Sequence, residues 1–166
     1  MRSTAIATTA LALLLLSAAP GEARVFMAHG NACQTDALVA IGYDLAGAYN
    51  SRDAGSVART FECPLNITYQ EGSLTTIVQA NTVVVNHHRT QTVSCTLENV
   101  DFDGGVLFSN TVISAVGDPH STPQRLFYTI PAGTLAPGVW RVHCFVPPPD
   151  NGVQSFVTGS MLMTSE

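Results

Sequence analysis

A chain of 166 residues, 46% hydrophobic and 11% charged, with a formal net charge of −5, has room for one domain built on a single core. All seven cationic residues are arginine and they form no cluster, so the chain lacks the electrostatic footprint that nucleic acid or anionic lipid requires.

From the N-terminus, Arg2 precedes an apolar run from Ala5 to Leu16, and the small residues Gly21 and Ala23 follow it. This is the layout of a secretory signal peptide, residues 1–23, cut before Arg24. The run is too short for a membrane span, which needs about 20 apolar residues. No second such run follows, so residues 24–166 are expected as one exported domain, secreted or periplasmic, with no membrane span after leader removal. The stretch 35-TDALVAIGYDLAGAYN-50 fits either a short helix capped by Thr35, with Leu38, Ile41 and Leu45 inward, or a strand. Its internal glycines favour a strand from Ile41 to Leu45.

Further strands are expected over 57–63, 77–86, 92–98, 106–116, 125–130, 139–146 and 153–164, rich in Val, Ile, Thr and Phe. Turn residues separate them: Glu71-Gly72-Ser73, Asp103-Gly104-Gly105, Asp118-Pro119, Ala136-Pro137-Gly138, and the run Pro147 to Gly152. In 139–146, Trp140, Val142, Cys144 and Val146 share one face, while Arg141, His143 and Phe145 share the other. In 92–98, Val93, Cys95 and Leu97 point inward by the same rule. About seven to nine such strands imply an all-β antiparallel sandwich. The immunoglobulin pattern does not fit: Val142 stands where its tyrosine should, and Trp140 lies beside the last cysteine rather than after the first.

Four cysteines, Cys33, Cys63, Cys95 and Cys144, make an even count with no C-x-x-C spacing. In an exported chain they read as two disulfides, with three possible connectivities. Cys95 and Cys144 sit mid-strand on inward faces, as suits partners across a core; Cys33 then ties the N-terminal segment to Cys63. Paired cysteines leave no thiolate for catalysis or metal binding.

Metal chemistry is poorly served by the histidines. Neighbours on a strand point to opposite faces, so neither His87-His88 nor His143-Cys144 chelates one ion. A blue-copper arrangement wants a histidine after the cysteine, and none follows Cys144; Met161 and Met163 lie far along. His88 is expected to be solvated beside a turn at Arg89 to Gln91, and His143 to face solvent. The stretch 101-DFDGG-105 starts like a calcium loop, but the twelfth position holds Val112 instead of a bidentate Glu. An Asp-Gly hairpin turn explains it more simply. There is no G-x-S-x-G elbow, and Asp36, Asp44, Glu62 and Glu98 stand singly. The reading is therefore no catalytic residue, no cofactor and no metal ligand. The rival is a small secreted metalloprotein or hydrolase using His87, His88 and His120.

Cys33, Gly47-x-x-Asn50, Cys63-Pro64-Leu65, Val93-x-Cys95-x-Leu97 and Trp140-x-x-x-Cys144-x-x-Pro147 carry a resemblance. The chain resembles small exported β proteins of unknown function predicted from GC-rich bacterial genomes. Its lack of lysine and its alanine-rich leader point to the same kind of genome. The resemblance implies a sandwich with two disulfides and supplies no activity. The function expected is that of an exported non-catalytic module, structural or partner-binding. An unidentified protein or envelope partner would meet strand edges and loops such as 117-GDPHSTPQ-124 and 147-PPPDNG-152; the oligomeric state is open.

Overall fold

The computed structural model describes residues 23–35, 41–44, 47–50, 57–65, 75–135 and 137–165. Of the expected leader, only Ala23 falls within them. Ten strands are described: β1 (Ala23–His29), β2 (Ile41–Asp44), β3 (Gly47–Asn50), β4 (Arg59–Leu65), β5 (Thr76–Val85), β6 (Ser94–Val100), β7 (Val106–Ile113), β8 (Gln124–Phe127), β9 (Val139–Val146) and β10 (Phe156–Ser165). A single 3-10 turn, Gly30–Ala32, follows β1, and no α-helix occurs among the described residues.

The strands form two antiparallel sheets. One has the order β2-β3-β10-β5-β8, with β1 also paired to β10; the other runs β4-β9-β6-β7. β10 gives one whole edge to β5, while β3 and β1 share its other edge end to end. At their junction, a Cβ on either Gly30 or Gly47 would collide with the Val157 carbonyl oxygen. Gly47 also has a φ of 135°, a region side chains rarely adopt. These two glycines let β1 hand over to β3 without a gap.

Period-two alternation sorts the four-stranded sheet into rows. Inward rows are Phe61–Cys144–Cys95–Val112, Cys63–Val142–Leu97–Asn110 and Leu65–Trp140–Asn99–Phe108. Outward rows are Thr60–Phe145–Ser94–Ile113, Glu62–His143–Thr96–Thr111 and Pro64–Arg141–Glu98–Ser109. The inward rows meet Ile77, Ala80, Val84, Leu126, Val157 and Leu162 of the other sheet in one buried core. Trp140 is its largest member and rests on Phe108, with ring centroids 5.8 Å apart. Within this core, the Thr82 hydroxyl bonds both Tyr128 Oη at 2.7 Å and Ser160 Oγ at 2.9 Å, so the buried hydroxyls satisfy one another.

Cys33 is bonded to Cys63 and Cys95 to Cys144. The route of the second bond differs from the one expected. Cys95 and Cys144 do not reach across the core; they lie opposite each other on adjacent strands β6 and β9 of one sheet. Alternation identifies the face a cysteine occupies but not its neighbouring strand, and a lateral neighbour is closer than a facing sheet, which packs about 10 Å away. The Cys33–Cys63 bond does link the two sheets, because Cys33 follows β1 and Cys63 lies on β4. Beside it, Gln34 and Glu62 exchange backbone hydrogen bonds at 2.7 and 2.6 Å.

Candidate functional site

The outward face of the four-stranded sheet brings together side chains expected to stand apart. On β9, Arg141 and His143 project from the polar face, and register places them between Glu62 of β4 and Glu98 of β6. Arg141 donates to Glu98 Oε2 from Nε at 3.2 Å and from Nη2 at 3.1 Å. Its Nη1 lies 3.7 Å from Glu62 Oε1. His143 Nδ1 is 4.0 Å from Glu62, and Nε2 approaches Glu98 at 3.3 Å without aligning as a hydrogen bond. The expectation that these acids stand singly, and that His143 merely faces water, is corrected here. Pairing β4-β9-β6 places both carboxylates beside one guanidinium.

Sequence reasoning passed over Arg141. Its signal was present in the shared polar face of Arg141 and His143, but only the register supplies the partners. The face can order a contacting surface, since a guanidinium clamped on a carboxylate is held in one orientation. Thr96 lies opposite His143 in register, yet its hydroxyl bonds Thr111 Oγ1 at 2.8 Å. Among the described residues, His143 Nε2 has no hydrogen-bond partner. Against β4, Gln34, Thr35, Thr60, Glu62, Pro64 and His143 line an open hollow of about 510 Å3.

The three histidines of the metal reading are each placed in a different setting. His87 Nδ1 bonds the Gln154 carbonyl at 2.8 Å, and its ring sets an edge on Phe156 at 6.1 Å. His88 is buried rather than solvated: its Nδ1 accepts the N–H groups of Thr90 at 3.3 Å and Gln91 at 3.1 Å, closing the turn from inside. His120 is exposed in a turn organised by Asp118, whose carboxylate accepts the His120 N–H at 2.7 Å. Among the described residues, no three His, Cys, Asp or Glu side chains gather as a metal site. Asp101 accepts the N–H groups of Asp103 and Gly105, so that carboxylate caps the β6–β7 turn. Asp36 lies outside the described residues, and the side chain of Asp44 is not among those described.

The two loops expected to present a surface are both pinned to residues 86–91. Asn86 Nδ2 donates to Gln91 O, Ser114 Oγ and Ala115 O at 2.9, 3.0 and 2.8 Å. Its Oδ1 accepts His88 N–H at 3.0 Å and Ser155 Oγ at 3.1 Å. Gly117 N–H reaches the His88 carbonyl at 2.8 Å, and Arg89 N–H reaches Asp150 at 3.1 Å.

One further surface is a strand edge. β7 ends the four-stranded sheet, and Val106, Leu107 and Ile113 on it are exposed, with Phe102 standing 89% exposed in the preceding turn.

The fold and surface together define an all-β, two-disulfide sandwich with a polar sheet face and, among the described residues, an uncovered edge. No protein-family model matches the chain, and no curated protein matches it. It is similar to a chain in the structure of infectious bursal disease virus Gx strain, at 15% identity and TM-score 0.48, over 89% of this chain and 33% of that one. The Gt strain of the same virus gives 15% identity and TM-score 0.48, over 88% and 32%. The enzymatically active domain of bacteriophage CBA120 tailspike protein 4 gives 14% and 0.35, over 86% and 19%. This chain thus spans about a third or less of each of these proteins. Among the described residues, no helix is long and apolar enough to cross a membrane.

Proposed function

We propose that this chain is an exported, non-catalytic β-sandwich module of bacterial origin, partner-binding or structural, working in the periplasm or outside the cell. Residues 1–23 are its leader and residues 24–166 its single domain. Two intramolecular disulfides with no free cysteine are typical of an oxidising compartment, which supports the export reading.

The β7 edge carries the binding reading. A free sheet edge is a template for another strand, and proteins that keep such an edge uncovered blunt it with charge, proline or shortness. β7 is eight residues long, with neither a charged residue nor a proline in VLFSNTVI. An edge so exposed is consistent with a partner that covers it.

A photo-crosslinking residue placed at Thr111 in the exporting host tests this, with exposed Val78 on the other sheet as control. A discrete protein adduct at Thr111 and none at Val78 is expected. If Thr111 and the loop positions His120 and Asn151 all give no adduct, the module binds nothing there and the reading falls.

A further inference from the structure

The backbone phase of β7 says what kind of strand can cover it. Cys95 and Cys144 have Cα atoms 4.1 Å apart, the close spacing of a non-hydrogen-bonded antiparallel pair. The Cys95 N–H and C=O therefore point away from β9 and toward β7, where Val112 is its partner. The bond from Ser114 N–H to Val93 O, 2.8 Å, has the same phase. Even-numbered residues of β7 thus bond β6, and Ser109, Thr111 and Ile113 aim their backbone groups at the open edge. Among the described residues nothing takes them: the segment after β8 reaches β7 through the Asn110 side chain, which accepts Thr129 N–H at 2.9 Å.

We propose that the occupant is a second copy of this chain, joined β7 to β7 in antiparallel register about a two-fold axis at Asn110. This rests on the partner-binding reading above. In that register Ser109 faces Thr111 of the second copy, and the two exchange backbone hydrogen bonds. Leu107, 61% exposed, faces Ile113, 64% exposed, twice over by symmetry. Hydroxyl thus meets hydroxyl and apolar meets apolar on the outer face, and Phe108 meets Val112 on the inner one. The phase agrees as well, because the central pair 109–111 uses outward backbone groups on both copies.

Charge also favours a copy as the occupant. A chain at −5 repels its like, but β7 brings no ionisable side chain to the axis. On β6, next to it, Glu98 is held by Arg141. The register shift near the start of the strand, between Asn99 and Val100, leaves Phe108 to Ile113 regular. The other ends of the sheets suit self-pairing less. β8 and β2 are four residues each and include Arg125 and Asp44, β1 includes Arg24 and His29, and β4 is bridged through Gln34.

Sedimentation of the disulfide-intact exported protein tests the proposal through two exposed double variants, Ser109→Glu with Thr111→Glu, and Ser109→Arg with Thr111→Arg. The unaltered protein is expected to be a dimer at tens of micromolar. Each variant alone should dimerise at least tenfold more weakly, a shift of about 1.4 kcal/mol, and an equimolar mixture should recover the dimer. Asn110→Cys should cross-link two copies on oxidation. Ile113→Cys should not, because six residues of strand put those two positions roughly 20 Å apart. Circular dichroism of each variant confirms that the sandwich persists. A wild-type monomer at every concentration, or a dimer indifferent to both charge variants, overturns the self-pairing. If Thr111 then cross-links a different protein in the host, the partner-binding reading stands without it.

Discussion

Cys95 and Cys144 face each other across the β6–β9 ladder at the middle of the four-stranded sheet, both fully buried. The bond joins strands already held by backbone hydrogen bonds, so its main effect falls on the unfolded chain, whose ends it ties over a sequence separation of 49. Cys95→Ala with Cys144→Ala is expected to cost about 4 kcal/mol in the chain-entropy model. That is a large part of a domain stability of about 5–15 kcal/mol. Urea unfolding checks it, with peptide mapping to show Cys33–Cys63 still closed. A loss under about 1 kcal/mol would mean that the unfolded chain is already compact, contrary to that model.

Asn86 uses every donor and acceptor of its amide to hold three separated stretches of chain. Asn86→Ala leaves the His88 N–H and the Gln91 carbonyl without this amide and takes from Ser155 Oγ the acceptor of its proton. Each such orphan costs about 1–3 kcal/mol, and relaxation around the site keeps the expected total to about 2–4 kcal/mol. Hydrogen exchange should speed most at the His88 and Val93 amides, ahead of the β4–β9 ladder. Uniform acceleration over the whole chain would contradict the local role.

Alkaline stability should report on Tyr128. Burial pushes its phenol well above the ordinary value of 10.0, and the bond to Thr82 offsets this only in part. The folded protein therefore keeps the proton where the unfolded chain releases it. The resulting stabilisation is fully present below pH 10 and is lost as pH rises beyond it, at up to about 1.4 kcal/mol per pH unit. Urea midpoints between pH 8 and 11.5 should fall more steeply for the native sequence than for Tyr128→Phe. Equal slopes would show that Tyr128 ionises freely in the folded state.

Intact mass of the exported product should place its N-terminus at Arg24. The cut would remove Ala23, which pairs with Ser165 at the end of the β1–β10 ladder, and leave the pairs from Arg24 to His29. A product that keeps the leader and the membrane would end the secretory reading.

The physics of neighbouring residues explains what was legible. Alternation along 139–146 and 94–100 is a local property, so the inward faces of Trp140, Val142, Cys144, Cys95 and Leu97 follow from the sequence, and with them an all-β sandwich. Two strands escaped that reading. β1 buries only Ala28 and carries exposed Val25 and Met27, so its pattern is faint. β3, Gly-Ala-Tyr-Asn, has little β propensity, and the close approach of Gly47 to Val157 sets its place.

Strand neighbours and register depend on hydrogen bonds between residues far apart in the chain, which no local period encodes. For that reason the tertiary structure alone decided that Cys95 meets Cys144 sideways rather than across the core. The same pairing gathers Glu62, Glu98, Arg141 and His143 on one face. His88 beside a turn looks solvated locally, but it is buried where Asn86 ties that turn to two distant stretches, at Ser114–Ala115 and at Ser155. The sequence determined which residues turn inward; the order of the strands determined what each one meets.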